Sequence, residues 1–516
     1  MSQRQRKFGI ALSYGNIIIF SLVGIFFTPF LIRYLGDAEY GIYQMMSSFA
    51  GYLVIMNFGT GTVMTRYVAL YLGKGDKRGE KNFIAMCLII TGCLACGILI
   101  VAAALYTQLG SIYAHSLNAE QLILAKKLYL ILVANIVVVL LSQAFEGIVN
   151  AYERFVVMNA WRIGKILLKV LLVVILIMSG FDAVSIVSVD LGLSILFLFS
   201  MIWYSMGPLK VRFRLYSFEK AILGDTAIFS LAILFQSLIN QLNSSAGKTV
   251  LGIMLDPESV TLYAIAMSIF SIFSSLSTVV IAIYLPLLTK MVAEGADGMQ
   301  LTRAVIAPCR VQTIISGWIM FGFLLCGRDF IMVWMGDEKY LPAWLIGVIV
   351  MVPMFITYIN GVVVSILDAL RKRLFRSVVL AIVAAVNVGV SIILVKHVGY
   401  WGAPIGTAVA ILLGQVLIMN IYYHRVIKLN IFYMFGQILH GILPVLLISS
   451  IIVLPLCWGL PLGYWGLLVK AGVFTAIFGA TLWFKGLNAQ EKAAANSVFG
   501  RLPLVQRILR FTGQET

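Results

Sequence analysis

Three cations recur at helical spacing inside an otherwise apolar run. Arg162, Lys165 and Lys169 are three and four residues apart, so a helix carries them on one face. At ~1.5 Å per residue, Lys169 lies about 10 Å beyond Arg162 along the axis. A dehydrated row of cations suits a diphosphate, because hydrogen bonds between charged partners are short and strong. The same residues also read as anchors that snorkel to the polar interface. Asp190 is the acid set deepest in an apolar run. A carboxylate there is either the coupling group of a proton or cation pathway or the counter-ion of a nearby Arg or Lys. Another polar row comprises Thr226, Ser230, Ser237, Gln241, Ser244 and Lys248, with Asn240 beside it. Its spacing keeps it on one helix face and reads as a cavity wall. Arg33, at the far end of the first run, is an interfacial anchor or lines an exit.

The elements that must position these residues follow from composition. The chain has 516 residues, of which 61% are hydrophobic and 11% charged, with a mean hydropathy of +1.00. A soluble protein of this length cannot bury so much apolar surface. Continuous apolar runs of membrane-crossing length fill the chain, and they lack the alternation of a β-barrel. The class is an all-α polytopic membrane protein. Breaks at charged, Gly and Pro clusters predict fourteen spans: 10–32, 40–66, 83–107, 123–146, 163–179, 184–206, 221–247, 260–286, 309–330, 342–366, 377–395, 403–423, 437–457 and 464–484. The run after Arg4, Arg6 and Lys7 is too long for a signal peptide and reads as a retained first helix. The net charge of +17 reflects Lys and Arg at helix ends, not a groove for nucleic acid. With the N-terminus inside, 30 of the 38 basic residues fall on the inner side. That asymmetry predicts both termini in the cytoplasm.

The chain also repeats itself. Asp37-Ala38-Glu39, between the first two spans, matches Asp256-Pro257-Glu258 between the seventh and eighth. Gly180-Phe181 matches Gly399-Tyr400 at the same offset of 219, and Asn150-Ala151 matches Asp368-Ala369 at 218. A repeat of six helices keeps its orientation, so two parallel six-helix bundles are expected, at 1–206 and 207–423. Two further helices occupy 424–484, and a basic tail occupies 485–516. The segment RLPLVQRILRF in that tail reads as amphipathic and surface-lying. Substrate and coupling sites in such folds lie near the midplane.

Other chemistries lack their residues. Cys93 and Cys96 form a lone CxxC within one apolar helix, and the four histidines are scattered. Gly247-Lys248-Thr249 imitates the end of a nucleotide-binding loop, but position 242 is Leu where the loop needs Gly. No cofactor and no metal is expected. Asp37 and Glu39 raise a membrane glycosyltransferase or polymerase as an alternative. The short outer loops and the echo at Asp256 and Glu258 argue against it.

Residues 28–82 carry a narrower likeness. Pro29, Arg33, Leu35-Gly36, Glu39-Tyr40-Gly41, Gly59 and Thr65-Arg66-Tyr67 before a basic loop resemble the polysaccharide and O-antigen flippases of the multidrug/oligosaccharidyl-lipid/polysaccharide exporter superfamily. Tyr152-Glu153-Arg154-Phe155 resembles that family's segment before its fifth helix. The resemblance implies translocation of undecaprenyl-pyrophosphate-linked oligosaccharide across a bacterial cytoplasmic membrane by alternating access. It implies no enzymatic activity. It also implies a cationic cavity, which would fall on Arg33, Arg66, Arg162, Lys165, Lys169 and Lys248, and in some members coupling to H+ or Na+. The implied partners are the lipid-linked oligosaccharide, membrane lipid and polysaccharide-assembly proteins. A cation-coupled drug antiporter of the same superfamily is the nearest alternative. The excess of Lys and Arg over acids favours an anionic cargo.

Overall fold

A computed structural model describes residues 23–218, 220–370, 372–489 and 491–493. The start of the first expected span, and the RLPLVQRILRF segment, lie outside the described residues. Among the described residues there are helices and turns and no strand. The chain opens with α1 (Val23–Leu35), α2 (Asp37–Gly51), α3 (Thr60–Lys74) and α4 (Lys77–Ile112). It continues with α5 (Ala119–Ala151), α6 (Phe155–Met178), α7 (Ala183–Met206) and α8 (Lys220–Met254). Then come α9 (Pro257–Ala293), α10 (Gly298–Met335), α11 (Pro342–Ile359), α12 (Val364–Ala369) and α13 (Arg373–Val398). The last described helices are α14 (Gly402–Ile411), α15 (Met419–Arg425), α16 (Ile431–Leu439), α17 (Ile442–Gly459) and α18 (Tyr464–Thr481).

Eight helical runs among the described residues are long and apolar enough to cross a membrane, or nine if α16 and α17, bent by 43°, make one crossing. One of the eight, Leu374–Arg425, has 52 residues. At ~1.5 Å per residue that is about 78 Å, enough for two passages of a ~30 Å hydrocarbon core. Gly399 breaks it with a left-handed φ of 62°. A Cβ on Gly402 would lie 2.3 Å from the Val395 amide, and one on Gly406 would lie 2.3 Å from Ser391 Oγ. α13 and α14 therefore fold back on each other. α6 has 24 residues, but Arg162, Lys165 and Lys169 break its apolar window. Length and apolarity alone thus do not reproduce the count of fourteen. Phe432, Trp465, Ile100 and Trp203 are each more than two-thirds exposed. Large apolar side chains presented this way require lipid around them. The protein is a multi-pass membrane protein.

Two compact units divide the chain, and they do not follow sequence order. The first runs to Ile269 and takes in Leu380–Ala410. Its core, around Met64, Phe83, Ile148 and Met201, packs α3, α4, α5 and α7 together. Glu39 reaches from α2 to accept the Ala183 amide at the start of α7, which Asp182 leaves uncapped. Burial raises the pKa of Glu39 above the usual carboxylate value, and the amide opposes that rise. The two turns that match in sequence meet within this unit. Gly41 lies against Pro257 so closely that a Cβ would fall 2.1 Å from its carbonyl oxygen. The Thr261 hydroxyl donates to the Asp37 carbonyl at 2.7 Å.

The second unit comprises Phe270–Val379 and the chain from Ile411 onward. Two buried cations hold it. Arg310, 5% exposed, donates to the carbonyls of Gln437, His440 and Gly486 at 2.7–2.9 Å and pairs with Glu491 at 2.6 Å. It thereby satisfies carbonyls left open where α16 and the run after α18 end. Lys470 on α18 pairs with Asp329 on α10 at 2.9 Å, with side chains 1% and 2% exposed.

The second expected span, 40–66, is broken in two. Tyr52–Asn57 tightens to a 3-10 turn, and Phe58 and Gly59 take left-handed φ angles of 50° and 67°. Asn57 Oδ1 accepts the Gly59 amide at 2.8 Å, the local competition that lets Asn interrupt a helix.

Candidate functional site

The break after Asn57 opens a cavity in the first unit. Its volume is about 700 Å³, within the range of small-molecule sites. Helix α3 supplies Gly61, Thr62, Thr65 and Arg66, and α5 supplies Gln143, Glu146, Gly147 and Asn150. Arg162 comes from α6, Ile233 and Ser237 from α8, and Asn57 and Gly59 from the break. Glycines set the shape. A Cβ on Gly147 would lie 2.5 Å from the Gly61 carbonyl, so α3 and α5 cross backbone to backbone. Thr65 donates to the carbonyls of Gly61 and Gly147 at 2.9 and 3.1 Å, sealing the crossing. Asn57 donates to Gln143 Oε1 at 3.3 Å.

The cavity is polar and mixed in charge. Arg162 pairs with Glu146 at 2.8 Å, and the arginine stays 48% exposed. Arg66 lies over the Tyr67 ring at 5.8 Å. Two guanidinium groups and one carboxylate line the cavity wall. Arg66 is about 12 Å from the Lys74 end of α3 and Arg162 about 10 Å from the Phe155 end of α6, at ~1.5 Å per residue. The site thus sits about two turns in from the basic-loop ends of its helices. Guanidinium forks bind phosphate oxygens in pairs, and amides and hydroxyls match sugar hydroxyls.

The residues singled out from sequence divide among several surroundings. Arg66, Arg162 and Ser237 line this cavity. Lys165 opens on a separate groove of about 320 Å³ between α6 and α7, where it donates to Ser194 at 2.9 Å. Lys169 pairs with Asp190 at 2.5 Å. The deep cation and the deep acid therefore meet each other. Lys248 donates to Gln44 Oε1 at 2.9 Å, and Gln44 in turn donates to Tyr40. Gln241 bonds Ser245 at 2.8 Å and presses on Gly51, where a Cβ would lie 2.5 Å from its amide nitrogen. That part of the α8 row packs against α2. Asn240 accepts from Gln236 at 3.0 Å on an exposed face. Arg33, exposed near the end of α1, is not among the residues lining the cavity. The side chain of Thr226 lies outside the described residues.

A family model described as "polysaccharide biosynthesis protein" matches residues 8–292, more than half of the chain. The chain belongs to the polysaccharide biosynthesis protein family. Among solved structures, one entitled "Lipid II flippase MurJ, inward closed conformation" is similar at a TM-score of 0.71 and 16% identity, covering 92% of this chain and 98% of that one. An inward-facing multidrug resistance MATE family transporter of the MOP superfamily is similar at 0.56 and 14%, covering 78% and 92%. At these identities the likeness establishes a shared polytopic helical fold. No curated protein matches.

In this family member, four cavity residues escape a reading confined to cationic rows. Gln143, Glu146 and Asn150 share one face of α5 at spacings of three and four, with Gly147 between them. The stripe criterion that singles out α8 identifies this face too. Glu146 reads from sequence as an ordinary helix-end charge. Asn57 carries no such signal, because its effect depends on breaking the second span.

Proposed function

We propose that the protein is a flippase that moves an undecaprenyl-pyrophosphate-linked oligosaccharide from the cytoplasmic to the outer leaflet of a bacterial cytoplasmic membrane by alternating access. The observation that carries this reading is the cavity holding Arg66 and Arg162 together with Asn57, Gln143 and Asn150. The two arginines take the diphosphate, and the amides take the first sugars. Family membership agrees with a polysaccharide precursor as cargo. The basic-residue asymmetry supports cytoplasmic termini. Asp190 is the proposed coupling group, since its protonation would release the Lys169 ammonium from its partner. The role requires transport and no bond making or breaking. Polysaccharide-assembly proteins would supply and consume the cargo.

Reconstituted vesicles carrying a fluorescent lipid-linked oligosaccharide test this. Protein-dependent access of an impermeant sugar-modifying reagent to the opposite leaflet is the expected result. Export of organic cations without glycolipid movement would assign the drug-antiporter role instead. Lengthening of the glycan would assign a polymerase.

A further inference from the structure

The segment joining α7 to α8 is built as a strap. Val211 is 4% exposed and enters the core beside Phe83 and Met201. Beyond it the chain runs without regular secondary structure alongside the second turn of α4. Asn82 holds it there: Oδ1 accepts the amides of Tyr216 and Ser217 at 2.8 and 3.1 Å, and Nδ2 donates to the Ser217 carbonyl at 2.9 Å. The Arg214 amide adds a bond to the Lys81 carbonyl at 3.3 Å. Asn82 is itself 3% exposed. A buried amide side chain thus fixes this irregular segment in place.

What the strap presents is unusual for a loop in water. Phe213, Leu215, Tyr216 and Phe218 are 41–51% exposed. Lys210, Arg212 and Arg214 alternate among them and are exposed too. Arg78 and Arg214 both lie over the Tyr216 ring, at 5.0 and 5.6 Å. Lys74 and Lys77 extend the basic surface. The two acids of residues 72–82 are occupied elsewhere. Asp76 caps α4, and the buried Glu80 accepts the Tyr152 hydroxyl at 2.6 Å.

We infer that residues 210–218, locked on α4 by Asn82, form a binding site for the phosphate headgroups of anionic phospholipids in the adjoining leaflet. Aromatic and basic residues interleaved beside the ends of membrane-crossing helices match a headgroup layer, which offers apolar depth and negative charge together. An acidic protein would satisfy the cations but leave Phe213, Leu215 and Phe218 without an apolar counterpart. Arg78 and Arg214, preset on one ring, supply the phosphate-gripping pair. The site is independent of the cargo, so it stands or falls apart from the flippase reading.

Native mass spectrometry of the full-length protein, released from mixed micelles of phosphatidylglycerol and phosphatidylcholine, tests it. The wild type should retain phosphatidylglycerol preferentially. Arg78→Gln with Arg214→Gln should lower that preference about 30-fold, since each basic residue near an anionic surface contributes about fivefold. Asn82→Ala leaves every cation in the chain but frees the strap, and should lower the preference comparably. Lys290→Gln, which removes an exposed cation of α9, should leave it unchanged. A wild type without preference overturns the proposal. Full preference in Asn82→Ala, or equal loss in Lys290→Gln, reduces the effect to diffuse charge and overturns it as well.

Discussion

Replacing Lys169 by Met separates two roles for the deepest cation of α6. In the structure Lys169 meets Asp190 at 2.5 Å, with side chains 27% and 22% exposed. Coulomb attraction at that distance is about 7 kcal/mol with an effective dielectric of ~20, before desolvation is subtracted. Removing one partner of a fully buried pair costs about 3–5 kcal/mol, chiefly because the other charge is left alone. A pair about a quarter exposed retains water and is screened, so the cost here falls to about 1–3 kcal/mol. Lys169→Met should therefore lower the thermal unfolding temperature of the purified protein in micelles. Adding Asp190→Asn removes the stranded carboxylate and should recover most of the loss. Transport in vesicles should not recover, because the double variant lacks the proposed coupling group. Equal instability of the single and double variants would show that the pair does not govern stability. Wild-type transport by the double variant would refute the coupling role.

Three further expectations follow from the geometry. Arg66→Gln and Arg162→Gln should each weaken apparent affinity for lipid-linked oligosaccharide about 10- to 100-fold in concentration-dependent vesicle assays, since a hydrogen bond to a charged group contributes about 1.5–3 kcal/mol; Arg162→Lys should restore only part, lacking the planar fork. Lys470→Met should cost about 3–5 kcal/mol of stability by stranding Asp329, and Lys470→Met with Asp329→Asn should regain most of it, both read by thermal unfolding. Gly147→Ala places a Cβ 2.5 Å from the Gly61 carbonyl and should cost about 1–3 kcal/mol, with a parallel loss of transport as α3 and α5 move apart.

Two of the ion pairs, Arg162–Glu146 and Lys169–Asp190, are legible from hairpin arithmetic. In an antiparallel helix pair, residues equidistant from the turn lie level. Arg154, at the α5–α6 turn, has Glu146 eight residues before it and Arg162 eight after, and these two pair. The turn near Gly180 sets Lys169 level with Asp190 in the same way, and Lys165 with Ser194. The cationic row and the deep acid are plain in the sequence; their mutual neutralisation needs this extra step. Arg66 is different. Its place beside Arg162 depends on the close crossing at Gly61 and Gly147, which brings residues about eighty positions apart together and leaves no periodic trace. The apolar runs likewise announce the helices but not their fractures. Asn57 and Gly59 sit in a stretch greasy enough to read as one continuous span, and the local hydrogen bond that ends it is a side-chain event. Residues of the α8 row fall partly on the cavity and partly on α2 because a helix with polar groups over many turns meets different neighbours along its length.

The meeting of Gly41 with Pro257 bears on how such a molecule ages. Neither position has room to change alone, because each is the other's environment. Bulk gained at Gly41 must be surrendered around Pro257, so a substitution at one is tolerated only with a compensating shift at the other.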